Sequence, residues 1–357
     1  MSEGRIPAAL LGAGGYIGQH FARLLAAHPR FEPILLTSGT RSAGKRLEEV
    51  WQLESPPPEG VGRQRLYPTS NSRIVRSGIR VAFSALPSGT AGPLETELAR
   101  RGVAVFSNAA DHRMDAGVPL LVPEVNSEHL RVLGRAQRRG LLVTNPNCST
   151  TGLVMALAPI WQLLRPRAVH VATYQSLSGA GYPGVPSLAV TDNVLPYIAE
   201  EEEKIGRESP RILGSIRSGR VVPVSVPFLA HTVRVAVREG HLEAVTVEAR
   251  AQPGLQTILD ALRRFDPLAS LSLSLAPHPA IQVRSENDRP QPLRDRWAGT
   301  PAIARGMAAV VGRVRWNPPY LRFLVLTHNA VRGGAGGSIL NAELADVFGL
   351  LRTRGGR

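Results

Sequence analysis

The segment "RIPAALLGAGGYIGQHFARLLAAHP", Arg5 to Pro29, constrains this chain more than any other. It reads as a short apolar strand, a glycine-rich turn and an amphipathic helix. Such a turn lets backbone amides and a helix N-terminus approach a pyrophosphate closely. The glycines fall at Gly12, Gly14, Gly15 and Gly18, which satisfies both GxxGxxG and GxGxxxG. That spacing also serves purely steric strand-to-helix turns, so the context has to carry the reading. A second strand, "FEPILLTS", follows, and its end bears Ser38, Arg41, Ser42 and Lys45 in "TSGTRSAGK" rather than an acidic residue. A carboxylate there would hold a free ribose 2′-hydroxyl, whereas hydroxyls and cations suit a 2′-phosphate. The expected cofactor is therefore NADP rather than NAD.

The alternation continues with a strand "IRVAFSALP", a helix "GPLETELARRG", a strand "VAVFSNAA", a helix "EHLRVLGRAQRRG" and a strand "LLVTNP". This βα order over residues 6–146 predicts an α/β fold, a Rossmann-type doubly wound parallel sheet with ligands at the strands' carboxyl ends. The cofactor candidates at those ends are Gly12, Gly14, Gly15, Tyr16 and Ile17 in the first turn and Ser84, Leu86 and Pro87 in a later one. The stretch "LESPPPEGVGRQRLYPTSN" has the proline and glycine content of an exposed loop. Beyond about residue 150, strand-like runs dominate, from "HVATYQSLSG" to "LRFLVLTHN", with helical stretches near 186–208 and 254–264. They predict a second, α+β domain for substrate and dimerisation, built on a mixed sheet. The closing "GGSILNAELADVFGLLR" reads as a helix that returns to the nucleotide domain. The expected division is 1–147 completed by 330–357, and 148–329.

At 357 residues two domains are the natural expectation. No apolar run approaches the roughly 18 to 20 residues of a membrane span, and residues 1–5 are too polar and short for a secretory signal. The expectation is a cytoplasmic protein without membrane contact. The net charge is +14, but the arginines are scattered and aromatics make up only 5%. That favours an arginine-rich solvated surface over a nucleic-acid partner. Only Lys45 and Lys204 are lysines among the 42 basic residues. An ammonium is a smaller point charge than a guanidinium fork, so both lysines are candidate site residues.

Cys148 is the single cysteine, which excludes an internal disulfide and a multi-thiolate metal site; no metal is expected. It lies in "VTNPNCSTTG", where a strand ends, Asn145-Pro146-Asn147 turns the chain, and Ser149 to Thr151 offer caps for a helix starting near Gly152. A thiol at a helix N-terminus has its thiolate stabilised and becomes nucleophilic. The alternative is an inert buried thiol. A cysteine nucleophile beside a dinucleotide fold implies attack on an acyl group or aldehyde, with hydride passing between nicotinamide and the sulfur-bound carbon. His241, directly after Gly240, is a candidate acid/base group, and Arg234 a candidate clamp for a substrate carboxylate.

Taken together, "NPNCSTTG", "TYQSLSGAGYPGVPSLAVTDNVLPYI", "EEEEK", the Arg234/His241 spacing, "VPEVNSEHL" and "HNAVRGGAGGSILNAEL" resemble the archaeal and fungal-type branch of the aspartate-β-semialdehyde dehydrogenases, from about Gly12 to Glu343. The resemblance implies NADPH-dependent reduction of aspartyl-β-phosphate to aspartate semialdehyde and phosphate, on the route to lysine, threonine and methionine, by a homodimer or homotetramer. It implies Cys148 as acylated nucleophile, His241 as acid/base and Gln175 as orienter of the acyl group. For the substrate it implies Arg234 on the carboxylate, Glu201 on the amine, and Arg113, Asn108 and Lys204 at the phosphate. Ser178 and Gly179 in "SGAG" and Asn329 would lie near the nicotinamide. The chain departs from the family pattern at Gly14, at Leu242 after the histidine, and in lacking a proline after "RV" in "LAHTVRVAV". A paralogous malonyl-CoA reductase of the same branch is the alternative, since it uses the same cysteine chemistry without an amine-binding Glu201. A catalytically silent dinucleotide-binding protein is the third reading.

Overall fold

A computed structural model describes residues 4–134 and 140–351. The chain divides into two compact units: Met1–Leu121 with Glu128–Asn145 and Gly334–Arg357, and Val122–Ser127 with Pro146–Gly333.

The first unit is built on β1 (Ile6–Leu11), β2 (Phe31–Ser38), β3 (Leu66–Pro68), β4 (Val81–Ser84), β5 (Ala104–Ser107) and β6 (Leu141–Thr144). These form one parallel sheet in the order β3-β2-β1-β4-β5-β6. Strands β4, β5 and β6 are buried at every residue, as strands covered on both faces must be. Phe21, Phe31 and Phe106 each pack against the Phe83 ring, Phe31 edge-on and the other two tilted. The chain order reverses between β1 and β4, and that switch point is where such sheets take their ligands. Helices α1 (Tyr16–Ala26), α2 (Asn71–Arg76) and α3 (Ala91–Arg100) complete the βα alternation.

The "LESPPPEGVGRQRLYPTSN" stretch is not all loop: Leu66–Pro68 pairs with Leu36–Ser38 as an edge strand. Three residues ending in proline carry no readable alternation, and an edge position tolerates the missing N–H. The helix expected at "EHLRVLGRAQRRG" is replaced by a 3₁₀ segment, Ser127–Val132, while residues 135–139 lie outside the described residues.

The second unit holds α4 (Pro123–Asn126), α5 (Cys148–Leu164), β7 (Pro166–Gln175), α6 (Ser187–Val190), α7 (Glu201–Ile212), β8 (Ser215–Arg217), β9 (Arg220–Val222), β10 (Phe228–Arg234), β11 (His241–Ala249), α8 (Leu255–Arg263), β12 (Ile281–Val283), α9 (Pro292–Asp295), β13 (Ala309–Asn317) and β14 (Tyr320–Thr327). Six strands form a mixed sheet, β10-β7-β11-β14-β13-β12, with the two outer pairs parallel and the inner pairs antiparallel. Along β11 buried and half-buried residues alternate strictly, so one face packs on helices. Against it lies α5, apolar almost all round and therefore enclosed. The helical stretch expected at 186–208 is broken between Val190 and Glu201. There Pro196 lacks an N–H, and Leu195 instead pairs with Arg234 through the backbone. The run "RVVPVSVPFLAHTVRVAV" likewise splits at Pro223–Pro227 into a hairpin strand, β9, and β10.

The last helix, α10 (Gly336–Val347), belongs to the first unit, where Arg30 Nε donates to Asp346 at 2.5 Å and His28 lies 3.2 Å from Glu343. Among the described residues no helix is long and apolar enough to cross a membrane.

Candidate active site

Cys148 is the first residue of α5, and the cap is Asn147 rather than Ser149 to Thr151. The Asn147 side-chain oxygen accepts from the amides of Ser149 (3.0 Å) and Thr150 (3.3 Å), satisfying two of the helix's orphan donors. Expecting the helix near Gly152 missed a full turn, because an asparagine can reach amides two and three residues ahead. The thiol consequently sits where the first turn's dipoles converge.

Asn147 does more than cap. Its Nδ2 donates to both oxygens of Glu201 (2.9 and 2.8 Å), and its own N–H donates to Glu208 (2.7 Å). Glu201 also accepts from Gln175 Nε2 (3.1 Å), while Lys204 Nζ lies 3.5 Å from it and 3.4 Å from the exposed Glu200. In the acidic run Glu200–Glu203, Glu201 alone is buried, at 9% exposure. The position of α7 thus selects one carboxylate from four. Replacing Asn147 by Ala is expected to lower stability by about 2 to 4 kcal/mol, from a lost cap and an under-satisfied buried carboxylate. Urea unfolding measures this, and Asn147→Ser, which caps but is too short to reach Glu201, should recover only part.

Arg234 ends β10, with Nη1 donating to the Ser176 carbonyl (2.9 Å) and reaching Gln175 Oε1 (3.5 Å). Burial pulls its guanidinium below the ordinary arginine value, and the charges of Cys148 and Glu201 pull the other way. His241 opens β11 after Gly240, whose φ of +96° makes the turn one that glycine favours. The imidazole is fully buried, and burial first, then Arg234 and His328, push its pKa down to about 3. It is neutral at physiological pH. Gly179 lies against this pair: a Cβ there would stand 2.6 Å from Arg234 Nη1 and 3.3 Å from His241 Nε2. Asn329 accepts from Gly240 N–H (2.9 Å) and donates to Ser178 Oγ (2.9 Å). Gly333 packs on the main chain and Cβ of Cys148, so closely that a Cβ on it would stand only 2.6 Å from that of Cys148.

The second unit therefore gathers Cys148, Gln175, Ser178, Gly179, Glu201, Lys204, Arg234, His241 and Asn329. Sequence reasoning passed over Asn147, Ser176, Glu208, Glu243 and Gly333. Of these Asn147 alone carried a signal, being a capping residue immediately before the cysteine. Glu243 is fully buried on the inner face of β11, and burial pushes its carboxyl well above the usual range. Neither of its oxygens has a hydrogen-bond partner among the described residues.

The first unit holds the remaining candidates. Gly12, at φ +77°, brings its Cα so near the Ala85 carbonyl that a Cβ would lie 2.6 Å from the oxygen. Gly15 caps α1 with no side chain over the N-terminus, and Tyr16 and Ile17 begin that helix. Gly14 faces Ser38 Oγ and Ser42, where a Cβ would fall within 2.9 and 3.3 Å. Arg41 and Lys45 are exposed beyond β2, Ser84 ends β4 buried, and Leu86 and Pro87 follow it. Arg113 Nη2 donates to the Asn108 carbonyl (2.8 Å), and the Asn108 side chain bonds Asn145 (3.3 Å) and Ser338 (3.3 Å) in the first turn of α10. Among the described residues no group of three or more His, Cys, Asp or Glu could hold a metal ion.

Comparison with known proteins gives matches in both units. The family model "Semialdehyde dehydrogenase, NAD binding domain" matches residues 7–133, and "Semialdehyde dehydrogenase, dimerisation domain" matches residues 157–332. The chain is 42% identical over 345 residues to aspartate-semialdehyde dehydrogenase of Methanothermobacter thermautotrophicus, covering 94% of this chain and 97% of the relative. It is 38% identical over 360 residues to malonyl CoA reductase (NADP) of Metallosphaera sedula, covering 98% and 99%. The crystal structure of aspartate semialdehyde dehydrogenase with NADP from Candida albicans superposes with a TM-score of 0.85 at 32% identity, covering 97% and 99%. With two family models matched in order and relatives aligned nearly end to end, the chain belongs to the aspartate-semialdehyde dehydrogenase family of oxidoreductases.

Proposed function

We propose that this chain reduces L-aspartyl-4-phosphate to L-aspartate 4-semialdehyde and phosphate with NADPH, through a thioester on Cys148, in the synthesis of lysine, threonine and methionine. The observation that carries the reading is the buried Glu201 carboxylate, held by Asn147 at the cap of the helix that starts with Cys148 and linked through Gln175 to Arg234. A substrate bearing both an ammonium and a carboxylate finds a counter-charge for each.

The first unit's residues fit the cofactor. Gly12 and Gly14 let the turn close tightly against the Ala85 carbonyl and Ser38, the α1 N-terminus is uncapped by any side chain, and Ser38, Ser42, Arg41 and Lys45 supply hydroxyls and cations for a 2′-phosphate. When bound, NADPH supplies the hydride that reduces the thioester carbon. The Cys148 thiolate attacks the acyl carbon and the C–O bond to phosphate breaks. Arg113 and Asn108, with Lys204, are assigned to the phosphate, Gln175 to the acyl group, and Arg234 to the α-carboxylate. His241 acts as the acid toward the oxygen that becomes negative, and collapse of the tetrahedral adduct returns the thiolate and releases the aldehyde. Ser178, Gly179 and Asn329 are assigned to the nicotinamide side. The dimerisation-domain match supports a homodimer or homotetramer.

The competing reading, malonyl-CoA reduction, draws on the 38% identical relative of that name. It would use Arg234 for the malonyl carboxylate and leave Glu201 without an ammonium to bind. Aspartate semialdehyde, phosphate and NADP together should yield NADPH, while malonyl-CoA should oxidise none. Activity with malonyl-CoA alone would overturn the aspartyl assignment.

A further inference from the structure

Arg113 sits in a turn that is tied to the start of α3 on both sides of it. Ahead of Arg113, the Asp111 carboxylate accepts from the N–H of Gly89 (3.0 Å) and of Gly92 (3.0 Å). Gly92 lies so close that a Cβ on it would stand 3.0 Å from Asp111 Oδ1. The tie to the far side runs through the His112 ring. Its Nδ1 is 2.7 Å from Asp115 Oδ2, while Nε2 is 3.0 Å from the Gly92 carbonyl and 3.3 Å from Thr96 Oγ1. A carboxylate and a peptide carbonyl can only accept. Each ring nitrogen therefore needs its own proton, and the form that satisfies both is the imidazolium. The titratable and charged groups around the ring are Asp111, Arg113 and Asp115 of its own turn and Glu95 of α3. Partial burial works against the charge, but the hydrogen bonds to Asp115 and Gly92 and the charges of Asp115 and Glu95 outweigh it, so the pKa of His112 is raised above its ordinary 6.5. Between the two ties Arg113 is buried, at 8% exposure, and its Nη2 donates to the Asn108 carbonyl (2.8 Å).

We propose that His112 is a positioning residue for Arg113: as an imidazolium it bridges α3 to Asp115 and holds the guanidinium in its anion-binding place, and loss of the ring proton weakens the grip on a phosphate dianion. The proposal rests on the assignment of Arg113 to phosphate. A neutral ring keeps one of its two bonds and sets a lone pair against the other acceptor. Whichever bond is lost, the bridge from α3 to Asp115 opens and Arg113 is held from one side only. The dependence on pH has one sign. The imidazolium is complete below 6.5 and disappears as pH rises through the raised folded value, so anion affinity is highest at the acid end.

Sulfate is the probe, because it stays a dianion from about pH 6 to about pH 9, the range in which His112 titrates. It is titrated calorimetrically into the full chain with NADP saturating, and the binding that Arg113→Gln removes is the binding read. At about pH 6 the wild type should bind sulfate about fivefold or more tightly than His112→Gln, and at about pH 9 the two should agree within about twofold. Other ionisations act on both proteins and cancel in that ratio. A ratio that does not change with pH would mean that His112 is only structural, and with it the proposal fails. It fails too if Arg113→Gln removes no sulfate binding at any pH. Asp115→Asn keeps an acceptor but not the charge, so in that variant the fall in affinity should move to lower pH by about half a unit or more. An unmoved fall overturns the proposal, and this comparison carries the test should His112→Gln not fold. Nitrogen-15 spectra of histidine-labelled protein give a second reading: both His112 nitrogens should be protonated at about pH 6.5, and a neutral ring there overturns the proposal. No carbon substrate enters these measurements, so failure of the aspartyl assignment would show separately, in the NADPH assay.

Discussion

Serine in place of Cys148 is expected to leave a folded protein whose kcat is lower by at least about 10⁴-fold, the scale of loss when a covalent nucleophile is removed. The exchange of one sulfur for one oxygen at the first position of α5 keeps the Asn147 cap intact. Unfolding free energies should then agree within about 0.5 kcal/mol. The chemistry does not survive. A helix N-terminus and a nearby guanidinium can ionise a thiol, whose pKa is about 8.5 in the free side chain, but not a hydroxyl. NADPH oxidation with substrate, measured beside a urea titration, separates the two effects. Appreciable turnover in the serine variant would mean that hydride reaches the substrate without a covalent adduct.

The second large effect concerns stability. Glu243→Gln is expected to stabilise the protein increasingly as pH rises above about 4.5, by up to about 1.4 kcal/mol per pH unit until the native carboxyl itself ionises. The folded Glu243 keeps its proton because burial disfavours the charge, whereas the unfolded side chain loses it near its ordinary value of 4.5. In that window the unfolded state binds fewer protons, so wild-type stability declines with rising pH, and glutamine removes the decline. His241 has the opposite sign. Its folded pKa of about 3 lies below its ordinary value of 6.5, so the unfolded state binds more protons between those values and stability climbs with pH. The two slopes oppose each other from about 4.5 to 6.5. Urea titrations across pH 4 to 9 should show the variant and wild type converging at the acid end and separating above it until the native carboxyl ionises. Parallel curves would show that the carboxyl is charged in the native protein.

Most of the first unit was legible because its signals are local. A glycine turn after an apolar strand, and strands of continuous Val, Ala, Leu and Phe alternating with helices, specify a parallel sheet by period and order. The mixed sheet of the second unit was legible as a class for the same reason. Its breaks were harder to read. The interruption at Pro196 depends on Leu195 pairing with Arg234, nearly forty positions away in sequence, and no window of neighbours contains that information. The site followed the same division. Cys148 announced itself by its junction, whereas choosing Glu201 from four consecutive glutamates required the seating of α7 against Asn147 and Gln175. Ser176 could not be read at all, since its grip on His241 is made by a backbone N–H, which every residue but proline possesses.

The return of α10 to the first unit bears on how the molecule folds. Arg30 and His28 near the beginning of the chain wait for Asp346 and Glu343 near its end. The parallel sheet keeps an uncovered helix site until a pair 316 positions apart, Arg30 and Asp346, has met. The second unit draws on Val122–Ser127 and Pro146–Gly333 alone and can close without that helix, whereas the first unit cannot.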